Sequence, residues 1–98
     1  TSKKRKILMR EAHRLNPMVM LGKQGLTPQV VAQTKESLDH HELIKVRFQD
    51  FKDEKRELLQ RLAEQTGSEL VSLIGHVGIL YLRNPDADKR IYHGIPME

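Results

Sequence analysis

Two β-type runs near the end of the chain are separated by only two residues, Gly75 and His76. The runs cover residues 69–74 and 77–82, and a Gly-X pair between them suits a type II′ turn. Strands joined so tightly must pair antiparallel, because a parallel pair needs a crossover of about a dozen residues. This hairpin therefore fixes one antiparallel pair in whatever sheet the chain forms.

Two earlier β-type runs alternate with segments that have helical periodicity. Residues 18–21 are wholly apolar, as in a buried strand, and residues 42–48 alternate apolar and cationic side chains. Thr27 followed by Pro28 is a typical helix start. The periodicity predicts helices over 2–15, from Thr27 to near His41, and over 53–66.

The predicted order is α-β-α-β-α-β-β, which indicates the α/β class. Strands connected through helices favour parallel pairing by right-handed crossovers, whereas the terminal hairpin adds an antiparallel pair. We therefore expect a two-layer sandwich with a mixed four-stranded sheet. The 98 residues suffice for one domain over 1–98, with a core at about 3–83 and a loosely held loop and tail at 84–98.

Positive charge is concentrated in the first half of the chain. Residues 1–49 hold ten Lys and Arg against four Asp and Glu, whereas residues 50–98 hold seven against nine. This split suggests a cationic face of the kind that binds a polyanion. The candidate cations of the first helix and the second strand are Lys3, Lys4, Arg5, Lys6, Arg10, Arg14, Lys45 and Arg47. We expect the helix cations and the loop described next to lie near one end of the sheet.

The loop Gly22-Lys23-Gln24-Gly25 lies between the first predicted strand and the second predicted helix. It lacks the Ser or Thr that follows the lysine of a P-loop, and it lacks the first glycine of a dinucleotide fingerprint. The remaining G-x-x-G pattern lets the main chain approach a sugar-phosphate strand beside an anion-attracting helix N-terminus. The KH module clamps a nucleic-acid backbone with such a loop. The alternative is a tight turn that carries a solvated lysine.

No residue pattern predicts a catalytic or metal site, so we expect no enzyme, no metal and no cofactor. Adjacent His40 and His41 would point about 100° apart on a helix and could not share an ion. The absence of cysteine excludes disulfides and thiolate ligands and fits a reducing compartment. The one enzymatic alternative is an RNA-cleaving acid–base pair built on His13 or His41.

Aromatic side chains are scarce, which bears on how a nucleic acid would be recognised. Phe48, Phe51, Tyr81 and Tyr92 are the four aromatic residues, and we interpret Phe48 and Tyr81 as core residues. Single-strand binders commonly stack bases on aromatic rings. We therefore expect contacts to backbone and shape to dominate, with weak and similar binding of poly-U and poly-A.

An ordered set of motifs between Lys3 and Arg83 resembles the CRM domain (chloroplast RNA splicing and ribosome maturation). The set comprises LGKQGLTPQVV, then HHELIKVRF, a helix that ends at Gly67, and LIGHVGILYLR. It is similar in particular to the free-standing bacterial YhbY-like members of that family. The longer C-terminal segment, NPDADKRIYHGIPME, departs from the family pattern.

The resemblance implies a fold like the C-terminal domain of translation initiation factor three. It also implies RNA binding through the glycine loop and the basic surface, and association with ribosomal RNA or the precursor of the large ribosomal subunit. The expected protein is a cytoplasmic monomer without membrane contact that acts in ribosome assembly. The alternative is a protein-interaction domain whose basic face docks an acidic partner.

Overall fold

The computed structural model describes residues 2–49 and 53–96, in which three helices pack on one mixed four-stranded sheet. Phe51, one of the four aromatic residues named above, lies outside the described residues. The helices are α1 (Ser2–Ala12), α2 (Pro28–His41) and α3 (Lys55–Thr66), and the strands are β1 (Val19–Leu21), β2 (Leu43–Phe48), β3 (Glu69–Ile74) and β4 (Val77–Tyr81). The predicted element order is confirmed.

Local signals place the helix ends close to their predicted positions. The Thr27 hydroxyl accepts a hydrogen bond from the Val30 amide at 3.1 Å, so Thr27 caps α2 as expected. Helix α1 ends at Ala12, three residues before the predicted end, because the chain leaves it through tight turns. In the last of these, the Leu15 amide donates to the Ala12 carbonyl at 2.9 Å.

The strands lie in the order β1-β2-β4-β3. Strands β1 and β2 are parallel and joined through α2, whereas β4 runs antiparallel to both β2 and β3. Gly75 has a φ of 59° and His76 does not have a positive φ, which fits the predicted type II′ turn between β3 and β4. The mixed four-stranded sheet is therefore confirmed.

The helices divide between the two faces of the sheet. Helices α2 and α3 cover the face that carries Ile44, Val46 and Leu80, and this contact forms the larger core. Helix α1 covers part of the opposite face, where Leu8 packs with Tyr81. The expected two-layer sandwich is thus extended by a third layer, because Leu43, Ile79 and Tyr81 make part of the second face apolar and α1 is the element that covers it.

Glu42 ties the C-terminal segment to the body of the protein. Its buried carboxylate accepts hydrogen bonds from the backbone amides of Asn84 at 2.6 Å, Ile91 at 2.6 Å and Tyr92 at 3.1 Å. Ile95 is then buried in the core under α1. The segment predicted as a loosely held tail is therefore anchored to the body of the protein at Asn84, Ile91, Tyr92 and Ile95.

The same hydrogen bonds determine the ionisation of Glu42. Burial alone would raise the pKa of its carboxyl, but the three backbone donors and the nearby Arg90 outweigh burial and lower the pKa below the ordinary value. The carboxylate is therefore the form that the folded protein stabilises.

Candidate nucleic-acid interface

The G-x-x-G loop forms a single tight turn after β1. The Gly25 amide donates to the Gly22 carbonyl at 3.1 Å, which places Lys23 and Gln24 at the exposed tip. Gly25 has a φ of 68°, a conformation that side chains other than glycine rarely adopt. The turn itself therefore accounts for Gly25.

The turn does not account for Gly22. This residue does not have a positive φ, and a Cβ built on it would approach only the Gln49 side-chain oxygen, at 3.5 Å. That distance is ordinary van der Waals contact. The fold thus tolerates a side chain at Gly22, and the bare backbone is left open toward solvent.

Two further segments meet the loop at the same end of the sheet. The Gln49 amide donates to the Leu21 carbonyl at 3.0 Å, and the Phe48 amide donates to the His76 carbonyl at 2.8 Å. Lys55, at the start of α3, donates to the Gly75 carbonyl at 2.6 Å and lies 3.2 Å from the His76 ring nitrogen Nδ1. We call this end of the sheet, with the 22–25 turn and the hairpin turn, the loop end.

Lys55 and His76 were not among the sequence-predicted site residues. Each lies within a predicted feature, Lys55 in the third helix and His76 in the hairpin turn. The position of both turns at the C-terminal end of β2 is what brings these residues near the loop. The loop end also carries exposed Asp53 and Glu54, so its charge is not uniformly positive.

The two cations of β2 lie on the face that α1 partly covers. Arg47 is exposed and sits beside Met20 in the parallel register. Lys45 is half-buried, and its ammonium donates to the Leu15 carbonyl at 2.9 Å, which holds it against the turn after α1. Of the two, Arg47 is the better placed to contact a ligand at the loop end.

The cations of the α1 segment differ in availability. Lys4 is buried, donates to the Glu69 carboxylate at 2.8 Å and lies 5.6 Å from the centre of the Tyr81 ring. It therefore serves the fold, and its place among the predicted RNA contacts needs correction. Arg5 is exposed and donates to the Ser72 hydroxyl at 3.4 Å. The other predicted cations of this segment are all exposed: Lys3, Lys6, Arg10 and Arg14.

The predicted juxtaposition of the first helix and the loop is only partly present. Lys4 contacts Glu69, and Glu69 pairs with Tyr81 of β4. Tyr81 in turn pairs with Leu43, the first residue of β2. The loop instead follows Leu21, which is level with the last residue of β2. With strand rises of about 3.3 Å and spacings of about 4.8 Å, the two positions lie on the order of 20 Å apart. The start of α1 and the loop occupy opposite corners of the sheet.

Residues 2–49 and 53–96 contain neither a cluster of metal-ligating side chains nor a membrane-spanning helix. No three His, Asp or Glu side chains in this part of the chain converge as metal ligands would. Within the same residues, no helix has the length and apolar character needed to cross a membrane.

Comparison with known proteins gives a consistent family. Residues 1–82 match the family described as the CRS1 / YhbY (CRM) domain. A Haemophilus influenzae protein named "RNA-binding protein" is 39% identical over 88 residues, which is 89% of each chain. A Pseudomonas aeruginosa protein named "Probable RNA-binding protein" is 35% identical over 92 residues, covering 93% of this chain and 88% of its own.

A solved structure supports the architecture. The solution structure of a Staphylococcus aureus protein superimposes with a TM-score of 0.80 at 33% sequence identity, and the match covers 98% of both chains. The three relatives are bacterial proteins of nearly the same length as this chain.

Proposed function

This chain belongs to the CRS1 / YhbY (CRM) domain family, and from that premise we propose that it is a non-catalytic RNA-binding protein. The RNA backbone would lie on the turn 22–25. The names of the Haemophilus and Pseudomonas relatives support RNA as the ligand. By resemblance to the family, the RNA would be ribosomal, within the precursor of the large subunit, and the site of action would be the cytoplasm.

Gly22 is the observation that carries this proposal. Neither its backbone conformation nor the space around it requires glycine. A glycine without a structural reason is expected where another backbone must approach closely. The exposed Lys23 beside it and the N-terminus of α2 after it both favour a phosphate at this position.

The neighbouring groups extend the phosphate-binding surface. Arg47 is exposed next to the loop, and Lys55 and His76 line the hairpin turn at the same end of the sheet. These groups replace Lys4, which is buried, in the set of proposed RNA contacts. The exposed cations of α1 would contact RNA that extends beyond the loop end.

The substitution Gly22→Asp tests the proposal. A carboxylate here would obstruct the approaching backbone and repel its phosphates, while the open space around Gly22 lets the protein fold. We expect RNA affinity in filter-binding titrations to fall by more than about thirtyfold with an unchanged melting temperature. Lys23→Ala should cost less, about 0.5–2 kcal/mol, because it removes one mobile charge and leaves the approach open.

Gly22→Ala is the matched control, because it adds a Cβ without charge. A folded Gly22→Asp protein that binds RNA as tightly as the wild type would show that the loop is only a turn. Sedimentation of cell extract on sucrose gradients tests the ribosomal part separately. Absence of the protein from fractions that contain precursor large subunits would contradict the assembly role and leave RNA binding standing.

A further inference from the structure

One row of side chains runs straight across the sheet without a helix above it. Met20 of β1 pairs with Arg47 of β2, and Arg47 pairs with Val77 of β4. Val77 then pairs with Ile74 of β3. We call these four side chains the open row. They lie on the α1 face, because the strand neighbours of Met20 and Arg47 pack into the core under α2 and α3.

The open row exposes large apolar side chains. Met20 is 47% and Ile74 is 57% exposed. Among residues 2–49 and 53–96, only Ile91, at 49%, is a comparably exposed large hydrophobic residue. Two of these three side chains therefore lie in a single cross-strand row, with an exposed arginine between them.

A shallow groove adjoins the row on the side of α1. It has a volume of about 280 Å³ and is lined by Met9, His13, Lys45, Ile74, Val77 and Ile79. This volume is just below the ~300–1,000 Å³ of typical small-molecule sites. Neither the groove nor the open row contains an acidic side chain.

The open row is continuous with the loop. The Gln49 side-chain nitrogen lies 3.3 Å from the Met20 sulfur, and the Gln49 side-chain oxygen lies 3.5 Å from the position that a Cβ on Gly22 would occupy. A strand whose backbone lies on the 22–25 turn can thus pass directly onto Met20 and Arg47.

From this geometry we infer that the open row and its groove bind unpaired bases of the same RNA whose backbone lies on the loop. This inference rests on the proposed function and specifies the form of RNA. Arginine guanidinium planes stack on unpaired bases, and a methionine thioether makes favourable contacts with aromatic rings. Other four-stranded RNA-binding sheets hold two or three bases on aromatic side chains. In the open row Arg47 and Met20 would take that place, on a row that spans about 14 Å at ordinary strand spacing.

The dimensions disfavour a protein as the occupant. A stable protein interface buries about 800 Å² on each partner, and four side chains beside a shallow groove offer only part of that area. The positive charge of Arg47 and Lys45 suits a polyanion, since no acidic side chain lines the groove or belongs to the open row.

The test is a double-mutant cycle between the protein and the RNA. The protein variant is Met20→Ser with Ile74→Ser, and the probe is a blunt RNA duplex with a bulge of about three nucleotides. A second probe carries the same bulge with abasic sugars, so that it keeps the phosphates and lacks the bases. The matched protein control is Ile91→Ser, which removes an equally exposed hydrophobic side chain outside the row.

We expect the double variant to bind the base-containing bulge roughly five- to tenfold more weakly than the wild type, at the lower end of measured base-stacking contributions. Binding to the abasic probe should change less than about twofold, because charge contacts are retained. Ile91→Ser should affect neither probe. Thermal melts of all variants would check that these exposed substitutions leave the fold intact.

Other outcomes would overturn the inference. Equal weakening on both probes would mean that the row does not contact bases. No weakening on either probe, with Gly22→Asp still abolishing binding, would reject the row and leave the proposed function standing. Wild-type protein that binds neither probe would reject both. Self-association of the wild type that the double variant abolishes would identify a second protein copy as the occupant.

Discussion

At the scale of single residues, Glu42 combines two features that are each uncommon in proteins. It is a fully buried carboxylate, and its φ of 62° is the one positive φ of a non-glycine residue within residues 2–49 and 53–96. Such backbone conformations cost of order 1–3 kcal/mol. The three backbone amides that bind its carboxylate offset that strain, because hydrogen bonds to a charged group contribute about 1.5–3 kcal/mol each.

Removal of this carboxylate should destabilise the fold. Glu42→Ala leaves three amides without their acceptor, and we expect the free energy of unfolding in urea to fall by about 2–4 kcal/mol. Glu36→Ala, which removes an exposed carboxylate from the helix that ends just before Glu42, is the control and should change stability by less than about 0.5 kcal/mol. Equal stability of the two variants would contradict the structural role of Glu42.

The lowered pKa of Glu42 also predicts a pH dependence. A carboxyl whose folded pKa lies below its unfolded pKa contributes stability above the unfolded value and loses it as pH falls through the folded value. Wild-type stability should therefore decrease on acidification by more than that of Glu42→Gln, which cannot titrate at this position. Urea unfolding over a series of decreasing pH values measures the difference, and parallel curves would count against the assignment.

The two loop glycines should respond differently to substitution. Gly25→Ala should lower stability by about 1 kcal/mol, because its φ of 68° disfavours a side chain. Gly22→Ala should leave stability unchanged within about 0.5 kcal/mol, since its Cβ meets only ordinary contact. Thermal melts of both variants provide the comparison. A destabilised Gly22→Ala protein would show that the turn itself requires glycine at position 22.

At the scale of elements, the packing of α3 on the sheet depends on Gly78 of β4. A Cβ at this position would come within 2.6 Å of Leu59 Cδ2 and 3.2 Å of Leu59 Cγ, and Leu59 is fully buried. We expect Gly78→Ala to destabilise the protein by about 1–3 kcal/mol through overpacking. In the Leu59→Ala background the same change should cost clearly less, as unfolding of the single and double variants would show. Additive effects would mean that the two residues do not compete for space.

The elements were well predicted from sequence because their signals are local. Thr27 and Pro28 start α2, Gly75 turns the hairpin, and alternation in β2 separates Lys45 from its apolar neighbours. Features that depend on distant residues were not predicted. The burial of Lys4 depends on its ion pair with Glu69, which lies 65 positions away in the sequence. The exposure of Met20 depends on α1, which covers only part of the sheet face above it.

At the scale of the whole molecule, the exposed cations form a spread surface rather than one cluster. If about five of them neutralise phosphates, log K should fall with log salt at a slope of roughly −3 to −5. Arg47→Gln should make this slope shallower by about one. Lys4→Gln should leave the slope unchanged, because Lys4 is buried against Glu69.

Titrations at several salt concentrations measure these slopes. A flat salt profile for the wild type would contradict binding through phosphates. A shallower slope for folded Lys4→Gln protein would show that the buried lysine becomes available on binding.

The anchoring of the C-terminal segment by Glu42 also bears on where this domain can be cut. The family match ends at residue 82, yet the three amides that bind Glu42 and the buried Ile95 all lie beyond it. A recombinant fragment trimmed to the matched residues would keep the three α-helices and the four strands, but it would lose the backbone amides that bind the buried Glu42 carboxylate. The boundary of the family match and the folding boundary of this protein therefore differ, and we expect the smallest chain that folds autonomously to extend to residue 95.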